Sequence, residues 1–162
     1  MNPERLMCLA SARGASLDAV SRGFPEWTPE DVALAAAGLP DHQFHVALFT
    51  LAGDDSVRGS LKWWLMGELL HAREALQWAS RVERVTGERS RFSEELVELY
   101  LAEERRPSIT RDVPIIRSIW MRVEPETWRR VLSHQYTFLT SVFSAALADA
   151  EYHVQRKLRG AA

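Results

Sequence analysis

The apolar residues of this chain recur at spacings of three and four, the pattern of helices with one buried face. One such stripe lies between about residues 55 and 85, with Glu68 as its one polar member; its apolar members are Leu61, Trp64, Leu65, Leu69, Ala72, Leu76 and Ala79. A second stripe follows Pro125 and comprises Trp128, Leu132, Tyr136, Leu139, Phe143, Ala146, Ala150, Val154 and Leu158. Because the sequence lacks alternating segments joined by Asn-Gly or Asp-Gly turns, it predicts an all-α fold.

Glycine, proline and capping residues divide the N-terminal part of the chain into short helices. Residues 3–13, a stretch around Val20, and a segment that starts after Thr28 and ends at Gly38 are each predicted to be helical. In the third of these, Asp31 occupies the position where the longer side chain of Glu or Gln would complete a capping box with Thr28. We therefore expect Thr28 to cap the helix without the reciprocal hydrogen bond from its backbone N–H to the side chain at position 31.

Three more helices are predicted between this region and the final one. Asp41 is expected to cap a helix that ends before Gly53, with one apolar face formed by Phe44, Ala47, Leu48 and Leu51. Ser93 begins another, in which Leu96, Leu99 and Tyr100 are apolar and the glutamates are expected to face water: Glu94, Glu95, Glu98, Glu103 and Glu104. Residues 107–114 form a connector, and a short helix spans about 114–123 before the long one at the C-terminus.

Length and composition place this chain among globular proteins. Its 162 residues, 46% of them apolar and 26% charged, suffice for one domain or two small ones and exclude intrinsic disorder. We predict a helical unit over residues 1–40 and a bundle of longer helices over residues 41–162, joined by so short a junction that both can share one core. The single cysteine, Cys8, excludes a disulfide framework. An acidic N-terminal segment and the lack of a long apolar run predict a cytoplasmic protein without membrane contact.

The three short helices over residues 3–39 resemble the trihelical helix-turn-helix class of DNA-binding units. The resemblance rests on Val20 and Phe24 in the second helix and on Val32 and Ala35 in the third, and it covers about a quarter of the chain. It implies that the third helix is the recognition helix, which in this class lies in the major groove of DNA. Proline stands at position 25, where glycine is common in the class, so the turn is expected to be stiffer.

Charge opposes a DNA-binding role for these helices. Recognition helices usually supply arginine, lysine, asparagine or glutamine, yet no lysine or arginine occurs between Gly23 and Val57. Residues 1–72 hold five basic and nine acidic side chains, whereas residues 107–162 hold eight basic and five acidic ones. The basic candidates for binding a nucleic acid or an acidic partner all lie on the last helix: Arg129, Arg130, Arg156, Lys157 and Arg159. Those near the C-terminus also complement the helix dipole.

Metal and catalytic motifs are weak in this sequence. His42 and His45 are one helical turn apart, and Glu68 and His71 form the Glu-x-x-His spacing of helical di-iron proteins, but such proteins use that motif twice. If the two helices form a hairpin about Gly53, His42 and His71 lie roughly 9 Å apart along the axis, too far to share one ion. We therefore predict no metal, no cofactor and no enzymatic activity.

Tryptophan is the most unusual feature of the composition, with six in the chain. Adjacent residues on a helix point about 100° apart, so Trp63 and Trp64 both enter one core only if that helix is buried on a broad face. We weigh this against the alternative that one of them lies in a protein interface, where aromatic residues are enriched. The sequence thus favours a regulatory or adaptor protein that binds a protein partner and, given its long last helix, associates with itself. The alternatives are a DNA-associated regulator or packaging factor of phage or mobile-element type and, third, a helical metalloprotein.

Overall fold

The computed structural model of this protein describes residues 28–75, 89–105 and 113–160. Within these ranges every regular element is a helix and no strand occurs, which confirms the predicted all-α class. In chain order the helices are α1 Pro29–Ala36, α2 Asp41–Thr50, α3 Arg58–Ala75, α4 Arg89–Arg105, α5 Val113–Trp120, α6 Pro125–Thr127 and α7 Ser133–Gly160. A π-helical turn, Trp128–Leu132, joins α6 to α7.

The start of α1 follows the sequence prediction with one difference. Thr28 is the N-cap, its hydroxyl accepts a hydrogen bond from the Asp31 backbone N–H, and the Thr28 N–H donates to the Asp31 carboxylate over 2.9 Å. The capping box is therefore complete, because aspartate reaches the N-cap despite its shorter side chain. The helix ends at Ala36, and Gly38, which follows, has φ 93°, a conformation that glycine adopts without a steric penalty.

Helix α2 buries a wider face than the periodicity predicts. Its N-cap is Pro40 rather than Asp41, and no side chain caps it. Besides Ala47 and Leu51, the buried residues include Val46 and Phe49, while Phe44 and Leu48 are half-buried. The Phe49 ring meets Phe143 of α7 edge to face, with 6.4 Å between the ring centroids. Helix α2 is thus packed on more than one side.

The described residues fall into two compact units. The first comprises those up to Leu61 together with those from Phe143 onward, and the second comprises Lys62–Val142. A core cluster in the first unit joins three helices and consists of Val32, Ala35, Ala36, Ala47, Leu51, Ala150 and Val154. Described residues on both sides of position 40 therefore share one core cluster, and the predicted division into two domains stays a prediction.

The second unit is built around α4. Leu96, Val97, Leu99, Tyr100 and Leu101 are all buried, so this helix is enclosed on most sides. Lys62 on α3 contacts two carboxylates one turn apart on α4, Glu94 at 2.6 Å and Glu98 at 3.0 Å. These hydrogen bonds raise the pKa of Lys62 above its usual value. The two ion pairs thus link α3 to α4.

Several predictions concern residues outside the described ranges. The first two helices of the helix-turn-helix resemblance and Cys8 lie within residues 1–27, and Leu76 and Ala79 lie within 76–88. Of the three helices in the predicted helix-turn-helix unit, the described ranges contain one, the predicted third helix, which corresponds to α1. None of the helices in the described ranges is both long and apolar enough to cross a lipid bilayer.

Candidate functional site

Helix α5 has two chemically different faces. On one face Ser118 is fully buried and Arg117 is largely buried, and Met121, the residue after the helix, is buried as well. On the other, four large apolar side chains are exposed to solvent: Ile115, Ile116, Ile119 and Trp120. Ile119 is 70% exposed and Trp120 is 53% exposed, so no described residue forms a covering layer over this second face, which we call the outer face.

An ion pair between Arg117 and Glu103 anchors the buried face of α5 to α4. The Arg117 guanidinium donates to both oxygens of the Glu103 carboxylate, with Nη2 to Oε2 at 2.7 Å and Nε to both oxygens at 3.0 Å. Their side chains are 22% and 15% exposed. Two-pronged contacts of this kind are geometrically specific and stronger than neutral hydrogen bonds. The pair therefore fixes the rotation of α5 about its axis, and with it the direction of the outer face.

Aromatic side chains of the last helical region enclose this ion pair. The Tyr136 hydroxyl donates to Glu103, and the Arg117 guanidinium lies over the Tyr136 ring, 3.9 Å from its centroid. Trp128 packs against Tyr136 at 5.8 Å and lies 5.7 Å from the guanidinium. Burial, followed by the hydrogen bond to Glu103, raises the pKa of the Tyr136 hydroxyl above its usual range. Tyr136 is thus a neutral hydrogen-bond donor at neutral pH.

Both aromatic residues belong to a helix whose first part is distorted. Trp128–Leu132 form a π-helical turn, in which the Ser133 N–H donates to the Trp128 carbonyl, and this turn contacts α5. Such turns are rare and occur frequently at functional sites. Here the turn brings Trp128 beside Arg117. The side chains of Glu103, Arg117 and Tyr136 are hydrogen-bonded to one another. The arrangement is therefore suited to holding α5 in place rather than to transferring a proton.

The C-terminus of α5 has an unusual residue in its capping motif. The Val123 N–H donates to the Ser118 carbonyl over 3.0 Å, and the Arg122 N–H donates to the Ile119 carbonyl over 3.1 Å. These two bonds define a Schellman motif, whose central residue adopts the left-handed conformation and is usually glycine. In this protein that residue is Arg122, with φ 54°. Its side chain is exposed and has no partner among the described residues.

The two adjacent tryptophans of α3 have different environments. Trp63 is 72% exposed, whereas Trp64 is half-buried. Helix α3 therefore does not bury both rings in one core. Trp63 remains a candidate for partner binding, and its neighbour Lys62 is engaged with α4.

The basic candidate residues of the last helical region are exposed. Arg129 and Arg130 both pair with Glu126, at 3.7 Å and 2.5 Å, in the turns that precede α7. In the first unit, the Lys157 ammonium donates to the Ala37 carbonyl over 2.7 Å, at the C-terminal end of α1, where a cation complements the helix dipole. Arg156 and Arg159 are exposed beside it on α7. The basic end of the chain thus lies next to the third helix of the predicted trihelical unit.

The metal-binding hypothesis receives no geometric support. In residues 28–75, 89–105 and 113–160, no group of three His, Cys, Asp or Glu side chains comes close enough to hold an ion. His45 lies against the ring of Phe44, with their centroids 5.9 Å apart, and His71 is exposed.

The sequence analysis does not identify Glu103, Arg117 and Tyr136 as a cluster, because these residues are far apart along the chain. Glu103 and Glu104 were expected to face water, but Glu103 binds Arg117 and Tyr136, and Glu104 accepts a hydrogen bond from Tyr100 over 3.0 Å. One signal was available: the large apolar residues Ile115, Ile116, Ile119 and Trp120 fall on one side of this helix, and Arg117 falls on the other.

A comparison of the chain with protein families, curated proteins and solved structures found no match.

Proposed function

We propose that this protein is a non-enzymatic, all-helical regulatory or adaptor protein that acts by binding a protein partner through the outer face of α5. One observation carries the proposal: α5 exposes four large apolar side chains while its opposite face is anchored by the Glu103–Arg117 pair. A helix held so firmly presents its outer side chains in a fixed orientation, which lowers the entropic cost of binding.

The size of the outer face supports this proposal. From their exposed fractions, Ile115, Ile116, Ile119 and Trp120 together present roughly 400 Å² to solvent, within the range of patches that are often functional on monomers. Tryptophan is also enriched among the residues that dominate binding energy at interfaces. Trp63 is a second exposed aromatic residue in the same unit and a further candidate contact.

Crosslinking in cell extract tests the proposal when wild-type protein is compared with two variants. Trp120→Ser removes the largest side chain of the outer face, and Leu34→Ser is the matched control, because Leu34 is 80% exposed on α1. We expect proteins captured by the wild type and by the control to be lost with Trp120→Ser. Equal capture by all three chains would contradict the proposal.

Self-association is part of the proposal and is measured separately. We expect sedimentation velocity of the full chain to show a concentration-dependent dimer or higher oligomer, as the length of α7 suggests. A monomer at all concentrations would remove this part and leave the binding of a different partner in place.

A DNA-associated role is the second candidate, and the Lys157 contact favours it. That contact brings the basic end of α7 to the C-terminal end of α1, the neighbourhood that a shared DNA surface requires. Glu30 and Asp31, exposed in the first turn of α1, oppose it. Fluorescence anisotropy of a labelled duplex, at low salt and across a salt titration, tests this role. Binding that falls steeply with salt and is reduced by replacing Arg156 and Arg159 with alanine supports it, and no binding at low salt contradicts it.

A further inference from the structure

We propose that the Ser133 hydroxyl holds the π-helical turn Trp128–Leu132 in its conformation and so positions Trp128 against Arg117, the residue that anchors α5. Ser133 is therefore a positioning residue for the outer face of α5. This inference rests on the proposed function for the use of that face. Its structural part rests on contacts within the second unit, Lys62–Val142.

Ser133 makes hydrogen bonds to two successive carbonyls of the turn. In an α-helix its backbone N–H would donate to the carbonyl four residues earlier, that of Arg129. In this protein the N–H donates to the Trp128 carbonyl, five residues earlier, as is typical of a π-helical turn. The Ser133 hydroxyl donates to the Arg129 carbonyl over 2.7 Å, in the place of the amide that an α-helix would supply there. One residue thus provides a donor for both carbonyls.

A hydroxyl in the regular part of α7 has a different role. The Ser141 hydroxyl donates to the Phe138 carbonyl, also over 2.7 Å. In regular α-helix a carbonyl accepts the amide four residues later, so such a hydroxyl adds a second bond to a carbonyl that is already paired. Loss of the Ser133 hydroxyl therefore leaves the Arg129 carbonyl without this donor, whereas loss of the Ser141 hydroxyl removes only an additional bond.

The π-helical turn determines where the Trp128 ring lies. That ring is buried, packs against Tyr136 and is 5.7 Å from the Arg117 guanidinium. A π-helical turn encloses one more residue than an α-helical turn. Conversion to an α-helical turn would rotate Trp128 about the helix axis by about 100°, the angle between successive residues. This rotation would carry the ring away from Arg117, whose pair with Glu103 anchors α5.

Two measurements on the full chain test this inference without a partner. Fluorine NMR of protein labelled with fluorotryptophan reports the surroundings of each indole, and Trp128→Phe identifies the Trp128 resonance. We expect Ser133→Ala to shift that resonance. Hydrogen exchange measured by mass spectrometry should be about fivefold faster in α5 of Ser133→Ala, the factor that corresponds to one ordinary hydrogen bond, and unchanged in α3.

Two variants are the controls. Ser141→Ala makes the same substitution at a bond of the same length and should leave both measurements at their wild-type values. Ser133→Thr keeps the hydroxyl and should also match the wild type. If Ser133→Ala does not fold, Ser133→Cys, whose thiol is a weak donor, is measured instead. An unshifted Trp128 resonance, equal exchange of α5 in Ser133→Ala and Ser141→Ala, or a Ser133→Thr variant that behaves like Ser133→Ala would each overturn the inference.

Failure of the proposed function is distinguishable from failure of this inference. We expect Ser133→Ala to capture about fivefold less of the cellular proteins whose binding depends on Trp120, because α5 is less firmly held. If the wild type captures no such protein while the resonance and the exchange of α5 change as expected, the proposed function is wrong and the positioning role of Ser133 stands.

Discussion

The Glu103–Arg117 pair gives the sharpest prediction about stability. Replacing Glu103 by glutamine keeps the size of the side chain but removes the charge that accepts three hydrogen bonds from Arg117 and one from Tyr136. The Arg117 side chain, which is 22% exposed in the wild-type structure, then lacks its counter-charge. Breaking a buried pair by removing one partner costs about 3–5 kcal/mol, and because this pair is partly exposed we expect about 3 kcal/mol.

A double-mutant cycle separates the pair from the rest of the cluster. Glu103→Leu, Arg117→Met and the double variant are unfolded in urea and followed by tryptophan fluorescence and by far-UV circular dichroism. Because the structure contains two compact units, a single free energy of unfolding is valid only if the transitions followed by the two probes coincide. We expect the double variant to cost less than the sum of the single variants by about 2 kcal/mol, since residues that share hydrogen bonds are not additive.

Two outcomes would refute this reasoning. If Glu103→Gln lowers the free energy of unfolding by less than about 1 kcal/mol, the carboxylate contributes no more than one ordinary hydrogen bond. If the single costs add up in the double variant, the two side chains act independently and Arg117 does not depend on Glu103. Tyr136→Phe serves as the control and should cost about 1.5 kcal/mol, the value of one hydrogen bond to a charged acceptor.

The remaining predictions concern single positions. Arg122→Gly should stabilise the protein by about 0.5–1 kcal/mol in urea unfolding, because relief of left-handed strain exceeds the entropy lost by glycine; a loss of stability would contradict the observed φ. The raised pKa of Tyr136 implies a contribution to stability that is complete below its ordinary pKa of 10.0 and is lost as pH rises further. The free energy of unfolding should therefore be lower at pH 11 than at pH 9, and the difference should be smaller in Tyr136→Phe. Trp64→Ala should cost about 2 kcal/mol, below the 3–5 kcal/mol of a fully buried tryptophan, and an unchanged melting temperature would place that ring in solvent. Arg130→Ala should change stability by less than about 0.5 kcal/mol, because its pair with Glu126 is exposed; a larger loss measured in urea would indicate a contact that the structure lacks.

The sequence by itself determined the class of this fold and many of its local features. The spacing of Leu65, Leu69 and Ala72 identifies a buried helical face, and Thr28 with Pro29 identifies a helix start, because periodicity and capping depend on residues a few positions apart. The stripe from Trp128 to Val154 was predicted for the same reason and is buried along most of its length.

Only the tertiary structure decided which of these faces meet. Glu103 and Arg117 are fourteen positions apart and Glu103 and Tyr136 thirty-three, and helical periodicity says nothing about pairs at such separations. From the sequence, a glutamate on a polar helix face is expected to be exposed to water. The prediction for Glu103 is wrong because the arginine that binds it belongs to another helix. In the same way, the sequence predicts a short helix near residues 114–123 but not which of its faces is buried, and the structure shows Arg117 and Ser118 turned inward and four apolar side chains turned outward.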